Sequence, residues 1–289
     1  MLSLFLFIPQ KELFPTDEIM EMPPPIHAPD RVNTDGPSVA PILHKRNVQF
    51  FSVHFPQYRS REKKKFFFPF FRDLPLNLHK TLGMTQTDTS IRAVKGLGIA
   101  AANRTESVIL FSRKPLDRIQ TVLTDAASLT SIVLLQIILK EKYACEAKLR
   151  PGPIHDIHQA MKDYDGVLAI GDEAILAEKT DYDHYDLASE WFSLTGLPFV
   201  FAVWACNRPL EDAEVERLQQ SYRESTLHWD QIYHRAASML PVDIRFLKRY
   251  YNVNLHYQLT RSDYEGLLKF LAFADRLRYV DRIRKDIWL

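Results

Sequence analysis

From about residue 90 onward, short apolar runs alternate with amphipathic stretches, and this alternation restricts the chain to an α/β fold. Residues 107–112, 121–124 and 166–170 are short, mainly apolar runs, which predicts buried strands. The run at 199–204 is wholly apolar, which predicts a strand buried on both faces. The other stretches predict helices at about 128–143, 156–162, 211–225, 227–238, 241–250 and 262–277, and residues 253–258 are expected to be extended.

Residues 1–88 lack this alternation and are predicted to be irregular. Pro23, Pro24 and Pro25 form an unbroken run, which cannot lie inside a helix because proline has no N–H donor. A basic and phenylalanine-rich stretch follows at 59–71. It is typical either of a poorly ordered segment or of a patch for a membrane surface or RNA, and the lack of any periodicity favours the first interpretation.

Composition narrows the classes of partner and compartment. The 37 Lys and Arg residues nearly balance the 36 Asp and Glu residues, so nucleic acid is not the expected partner. The two cysteines, Cys145 and Cys206, exclude a disulfide framework and favour a reducing compartment. No run approaches the roughly 18 apolar residues of a membrane helix, and the apolar start lacks the basic residues of a signal peptide. We therefore expect a soluble cytoplasmic protein without membrane insertion.

A cluster of hydroxyl residues lies where the second predicted strand gives way to a helix. Ser128, Thr130 and Ser131 occupy the expected first turn, shortly after Asp125, with Ser128 as the predicted N-cap. A helix N-terminus presents unpaired N–H donors and a partial positive charge, so it receives carboxylates and phosphates well. The same residues are common caps, and the pattern does not decide between the two roles. The expected core stripe of this helix is Ile132, Leu135, Ile138 and Leu139.

Two further polar residues lie at strand ends. Ser107 begins the first predicted strand, and no matching His and acid make it a nucleophile. Asp172 follows the third strand, at the carboxyl edge where open α/β sheets bind ligands. It is placed either to bind a substrate hydroxyl or to cap the next helix, and capping is the commoner role. His155 and His158 lack a third ligand, so no metal site is predicted.

Several segments occur together, and in order, in one enzyme family. The segments are GLGIAA at 96–101, ESVILFS at 106–112, DAASLTS at 125–131, IGDEAI at 170–175, YDLASEW at 185–191, TGLPFVFAVW at 195–204, LHYQL at 255–259 and EGLLKF at 265–270. No single segment is specific, but together they make residues from about 90 to 289 resemble the chorismate dehydratase family of the futalosine route to menaquinone.

The resemblance implies a two-lobed α/β fold of the type II periplasmic-binding-protein class, with the substrate between the lobes. The strands at 107–112 and 199–204 would be the crossing strands of the hinge. The implied divisions are an atypical, partly disordered segment at 1–88, one lobe at 89–105 with 199–289, and a second lobe at 106–198.

The resemblance also implies an activity, namely removal of water from chorismate to give 3-[(1-carboxyvinyl)oxy]benzoate. This hydro-lyase reaction of menaquinone biosynthesis requires no cofactor. The family places an active-site serine at Ser107, which would contact substrate and assist proton transfer or the leaving hydroxyl. Because chorismate carries two carboxylates, Ser128, Thr130 and Ser131 would bind one of them, and Asp172 would also bind substrate. No protein base is evident, so a carboxylate of the substrate itself is the hypothesised base.

Three alternatives stay open. A non-catalytic protein of the same fold would bind a small carboxylate without turnover. A catalytically impaired homologue is favoured by residues 1–88, which lack the family's first strand and its active-site Asn and resemble a frame-shifted or rearranged gene start. The sister enzyme that cleaves a futalosine derivative is disfavoured, because its His-Glu signature is absent.

Overall fold

The structure, a computed structural model, describes residues 76–80, 92–125, 128–177, 180–206 and 210–279, all within one compact unit of the chain. The basic and phenylalanine-rich stretch at 59–71 lies outside them. The strands are β1 (Leu76–Lys80), β2 (Arg92–Ala101), β3 (Val108–Ser112), β4 (Thr121–Asp125), β5 (Lys148–Gly152), β6 (Gly166–Ile170), β7 (Asp183–Asp186), β8 (Phe199–Cys206) and β9 (Leu255–Gln258). The helices are α1 (Leu129–Tyr143), α2 (Ile157–Ala160), α3 (Asp172–Leu176), α4 (Leu187–Thr195), α5 (Asp212–Thr226), α6 (Trp229–Met239), α7 (Ile244–Arg249), a π-helical turn (Tyr250–Asn254) and α8 (Arg261–Arg276).

The strands form two sheets. The first has the order β1-β8-β2-β9 and is antiparallel throughout. The second has the order β5-β4-β6-β3-β7, in which β4 is parallel to both neighbours and β3 is antiparallel to both of its own. The chain enters the second sheet after β2 and returns before β8. The predicted two-lobed α/β fold is confirmed, whereas the residue boundaries assigned to the lobes stay a prediction.

One strand corrects the expectation that residues 1–88 are irregular. β1 lies within that region and pairs antiparallel with β8, from Leu76 opposite Cys206 to Lys80 opposite Ala202. Its sequence, LNLHK, is short and has no marked strand signal. The pairing with β8 therefore determines the conformation of β1, and the local sequence pattern cannot predict such a pairing.

Helix α1 is buried on more faces than the sequence predicted. The expected stripe of Ile132, Leu135, Ile138 and Leu139 is buried, but Val133 between them is buried as well. A helix that is apolar on most of its faces belongs in the middle of a core rather than at its surface. In the described part of the chain, no helix has the length and apolar character needed to cross a membrane.

The largest hydrophobic cluster contains residues from both sheets together with α1, α4 and α8. Trp191 of α4 is fully buried in it, with its ring edge-to-face against Phe199, Phe270 and Phe273. Its indole N–H donates to the Pro198 carbonyl at 3.1 Å. A single core therefore connects the two sheets where the chain returns to β8.

Asp165 fixes the loop before β4. Its carboxylate accepts backbone N–H bonds from Gln120 and Thr121 at 2.9 and 3.2 Å, and Lys114 Nζ lies 2.8 Å away. Burial alone would raise the pKa of Asp165, but these donors outweigh burial and hold the pKa below its ordinary value.

We expect Asp165→Asn to lower the free energy of unfolding by about 1–3 kcal/mol at neutral pH, because charge-assisted hydrogen bonds are lost. The folded-state pKa of Asp165 is depressed, so its contribution is present above the unfolded pKa of 3.8 and disappears as the pH falls through the folded pKa. Urea unfolding of wild type and variant at about pH 7 and about pH 2.5 measures this. A difference in stability that is the same at both pH values would contradict it.

Candidate functional site

The topology of the second sheet brings polar residues to one edge. Because β4 and β6 are parallel, their carboxyl ends lie side by side, and the antiparallel β3 begins there, with Val108 opposite Ile170. β7 ends at the same edge, with Asp186 opposite Ile109. We call this the polar edge: the carboxyl ends of β4, β6 and β7 with the start of β3. All five residues predicted as site residues lie along it: Ser107, Ser128, Thr130, Ser131 and Asp172.

Ser107 lies at the start of β3 and is 6% exposed. Its carbonyl accepts the N–H of Gly171 at 2.7 Å, which attaches it to the turn after β6. The Tyr250 hydroxyl donates to Ser107 Oγ at 2.9 Å, and Thr105 Oγ1 lies 2.8 Å from the same atom. Tyr250, Ser107 and Thr105 therefore form a chain of three buried hydroxyls, which we call the hydroxyl chain.

Tyr250 belongs to the π-helical turn, which connects α7 to β9 of the first sheet. The pKa of Tyr250 is raised to about 12, mainly by burial and in part by the carboxylates of Asp172, Asp186 and Glu106, against the lowering effect of the bond to Ser107. At neutral pH its phenol is protonated and acts as a donor.

Asp172 does not have the capping role that its position suggested. The N-cap of α3 is Gly171, whose φ of +72° lies in the left-handed region that favours glycine. Asp172 is the first residue of this short helix, and its charge is close enough to Tyr250 to raise the pKa of the phenol. The structure therefore brings Ser107 and Asp172 together around Tyr250.

Ser128 is the N-cap of α1, as predicted, but its side chain accepts no hydrogen bond from a backbone N–H of the helix. Its Oγ lies 2.9 Å from Ser131 Oγ, and Ser128, Thr130 and Ser131 are all buried. The predicted N-cap position is therefore confirmed, but the Ser128 hydroxyl bonds to the Ser131 hydroxyl instead of to a backbone N–H. These three residues form a second group along the polar edge.

A further buried hydroxyl, that of Thr124, lies near the start of α1. Thr124, near the end of β4, is fully buried, and among the described residues its Oγ1 has no hydrogen-bond partner. Side chains alternate along a strand, so Thr124 faces the same side as Val122, which packs in the cluster around α1. A buried hydroxyl without a partner is costly, which favours a polar ligand or water near this helix end.

A cavity of about 350 Å³ opens beside the polar edge. Its walls combine apolar with charged side chains, a combination suited to a small polar ligand, and none of the five predicted site residues lines it. The apolar lining includes Ile109, Phe111, Ile175 and Phe246, and the charged residues are Arg104, Glu106 and Arg249.

Glu106 connects the charged groups at this cavity. Its carboxylate lies 3.0 Å from Arg249 Nη2 and 3.2 Å from Arg104 Nη2, and it accepts the Asn254 amide at 2.7 Å. Its backbone is left-handed, with φ of +58°. Asp186 holds that backbone, because its carboxylate accepts the N–H of Glu106 at 2.6 Å. The Asp186 carboxylate thus holds the backbone of the segment that enters β3, and the Glu106 carboxylate connects this segment to Arg249 and Asn254.

The family model for menaquinone biosynthesis matches residues 82–276, a range that contains the whole polar edge. The chain belongs to this family. Chorismate dehydratase of Thermus thermophilus is 33% identical over 211 residues, which are 65% of this chain and 74% of that protein.

Two solved structures share the fold of this menaquinone biosynthesis family member. Protein AF1704 from Archaeoglobus fulgidus has a TM-score of 0.58 at 16% identity, covering 71% of this chain and 80% of that one. An ABC transporter from Parabacteroides distasonis has a TM-score of 0.51 at 11% identity, covering 74% and 80%. At such low identity they establish the fold alone.

The sequence did not predict several polar residues that lie beside the polar edge. Tyr250 and Arg249 come from the other end of the chain, and only the fold brings them to Ser107 and Glu106. Among the described residues, no three His, Cys, Asp or Glu side chains are grouped so that they would hold a metal ion.

Proposed function

We propose that this chain is a chorismate dehydratase that converts chorismate to 3-[(1-carboxyvinyl)oxy]benzoate on the futalosine route to menaquinone. The observation that carries the proposal is the 33% identity to a chorismate dehydratase over 74% of the length of that protein. The polar edge supports it, because it combines buried hydroxyls with a helix N-terminus, and a cavity with cationic residues opens beside it.

The reaction is redox-neutral and releases water. A ring C–H bond breaks, and its electron pair enters the ring as the proton leaves. The C–O bond to the ring hydroxyl breaks with its electron pair on oxygen, and that oxygen departs with a proton as water. The aromatic ring of the product provides much of the driving force, so the protein has to orient the substrate and assist two proton movements.

Ser107 is proposed to contact the substrate as the catalytic residue. Its hydroxyl would donate to the departing oxygen, where negative charge develops as the C–O bond breaks. Asp172, close to Tyr250, would accept a hydrogen bond from a substrate hydroxyl and so orient the ring. Both roles require a site that excludes water, and Ser107 is buried.

The start of α1 is proposed to bind one substrate carboxylate. The N–H groups of its first turn point out of the helix, and the hydroxyls of Ser128, Thr130 and Ser131 are beside them. The buried Thr124 hydroxyl would contribute one more donor. The other carboxylate of chorismate would act as the base, and normal turnover of a substrate amide at that carboxylate would contradict this role.

We assign the lobes and the compartment on the same basis. Residues 106–198 would form one lobe, and 89–105 with 199–289 the other, which is supported by the membership of β3–β7 in one sheet and of β2, β8 and β9 in the other. The site would lie between them. A cytoplasmic location is supported by Cys145 and Cys206, which form no disulfide in the described part of the chain.

Incubation of the purified full chain with chorismate tests the proposal, with loss of substrate and appearance of the enolpyruvyl benzoate followed by chromatography. Product formation supports the dehydratase. Saturable chorismate binding without product would instead indicate a binding protein or a catalytically impaired homologue. Neither binding nor product would contradict the proposed substrate.

A further inference from the structure

The hydroxyl of Tyr250 has a fixed position next to Ser107. Its ring stacks on Phe246 with a centroid separation of 5.9 Å and an interplanar angle of 14°. Tyr251 packs edge-to-face on the same ring at 5.1 Å. With the ring held on these sides and 3% exposed, the phenol oxygen stays 2.9 Å from Ser107 Oγ.

The hydroxyl chain has a direction. The Tyr250 phenol, which is protonated at neutral pH, donates to Ser107 Oγ at 2.9 Å, so Ser107 Oγ accepts. The Ser107 proton is then available to another acceptor, and Thr105 Oγ1 at 2.8 Å is the one in the structure. A hydroxyl that accepts a hydrogen bond becomes a better donor, because successive hydrogen bonds polarise one another.

The backbone around Tyr250 is also unusual. Tyr250 begins the π-helical turn that directly follows α7, and such turns are rare and frequently found at functional sites. The turn belongs to the chain segment that leads to the first sheet, whereas Ser107 begins a strand of the second sheet. The Tyr250–Ser107 bond therefore connects the two parts of the proposed site.

We propose, on the basis of the proposed dehydratase function, that Tyr250 is a positioning residue for Ser107. By donating to Ser107 Oγ, it directs the Ser107 proton away from itself, towards Thr105 in the free protein and towards the departing hydroxyl of the substrate in the complex. Neither hydroxyl gains or loses a proton overall. The proton that leaves the ring carbon balances the hydroxide that leaves, and the two depart as water.

Tyr250→Phe tests this role because it removes one oxygen and keeps the ring that stacks on Phe246. We expect kcat for chorismate to fall about tenfold, the effect of one hydrogen bond that aids the reacting group, while KM stays within about threefold. Tyr233→Phe is the matched control. Tyr233 is buried in the same aromatic cluster, but its hydroxyl contacts the Asn252 amide, so kcat should match the wild type.

The outcomes separate this role from the proposed function. A wild-type protein without turnover would overturn the dehydratase proposal and this role with it. An active wild type whose kcat survives Tyr250→Phe within about twofold, or in which Tyr233→Phe loses as much, would overturn the positioning role alone. A higher KM at unchanged kcat would overturn it too. Urea unfolding of both variants ensures that the rates refer to folded protein.

Discussion

Replacing Ser107 by alanine is expected to lower kcat for chorismate about 100-fold or more, the usual effect of removing a group that assists proton transfer. The substitution removes the hydroxyl proposed to face the departing oxygen and leaves the Tyr250 phenol without its acceptor. A buried donor without a partner costs about 1–3 kcal/mol of stability, so the variant should fold with a lower unfolding midpoint. Turnover by chromatography and urea unfolding measure the two effects.

Ser112→Ala provides the control for this prediction. Ser112 lies at the other end of β3, is also buried, and donates to the Lys114 carbonyl at 2.6 Å. Its loss should reduce stability while turnover stays near the wild-type value. If both variants lose turnover in parallel, the effect belongs to the fold of β3. If a folded Ser107→Ala protein keeps its turnover, Ser107 is not the catalytic residue.

Trp191→Ala is expected to have the largest effect on stability, about 4 kcal/mol in the free energy of unfolding. The indole is fully buried against three phenylalanine rings, and its N–H satisfies the Pro198 carbonyl. The surroundings cannot easily collapse into the space. A Cβ on Gly266 of α8 would already lie 2.1 Å from that carbonyl oxygen, so α8 has no room to approach further.

Phe192 provides the comparison for Trp191 within the same helix. It is 42% exposed, so Phe192→Ala removes an aromatic ring from α4 without creating a cavity. We expect it to cost about 1 kcal/mol or less. Urea unfolding of both variants gives the two values, and a comparable loss in both would show that helix propensity, rather than the shared core, determines the effect at Trp191.

The elements predicted from sequence are those whose own residues determine their state. The apolar runs gave β3, β4, β6 and β8 almost at their observed bounds, because burial on both faces leaves a clear pattern. The edge strands β5 and β7 were missed. Their sequences, KLRPG and DHYD, are mostly polar, and pairing with a neighbouring strand makes them extended.

The residues of the candidate site also divide into those that the sequence predicted and those that only the fold brings together. Ser107 was predicted from the family resemblance and Asp172 from its place after a strand, and both lie at the polar edge because sheet topology places such strand ends together. Tyr250 was not, since it is 143 residues from Ser107 and nothing local distinguishes it from other tyrosines. Ser128 was predicted correctly as the N-cap of α1, but its hydroxyl pairs with Ser131, which depends on how the first turn of α1 is buried.

Two of the connections between the sheets differ in kind. Near Pro198 the contacts are a buried indole and a closely packed helix. At Glu106 the carboxylate pairs with Arg249, whose side chain is 52% exposed, and an ion pair with an exposed partner is weak and is screened by salt. Separation of the sheets at that side would break this ion pair and the buried Tyr250–Ser107 bond, while the contacts near Pro198 persist. Ionic strength should therefore change the rate of ligand entry more than it changes the stability of the protein.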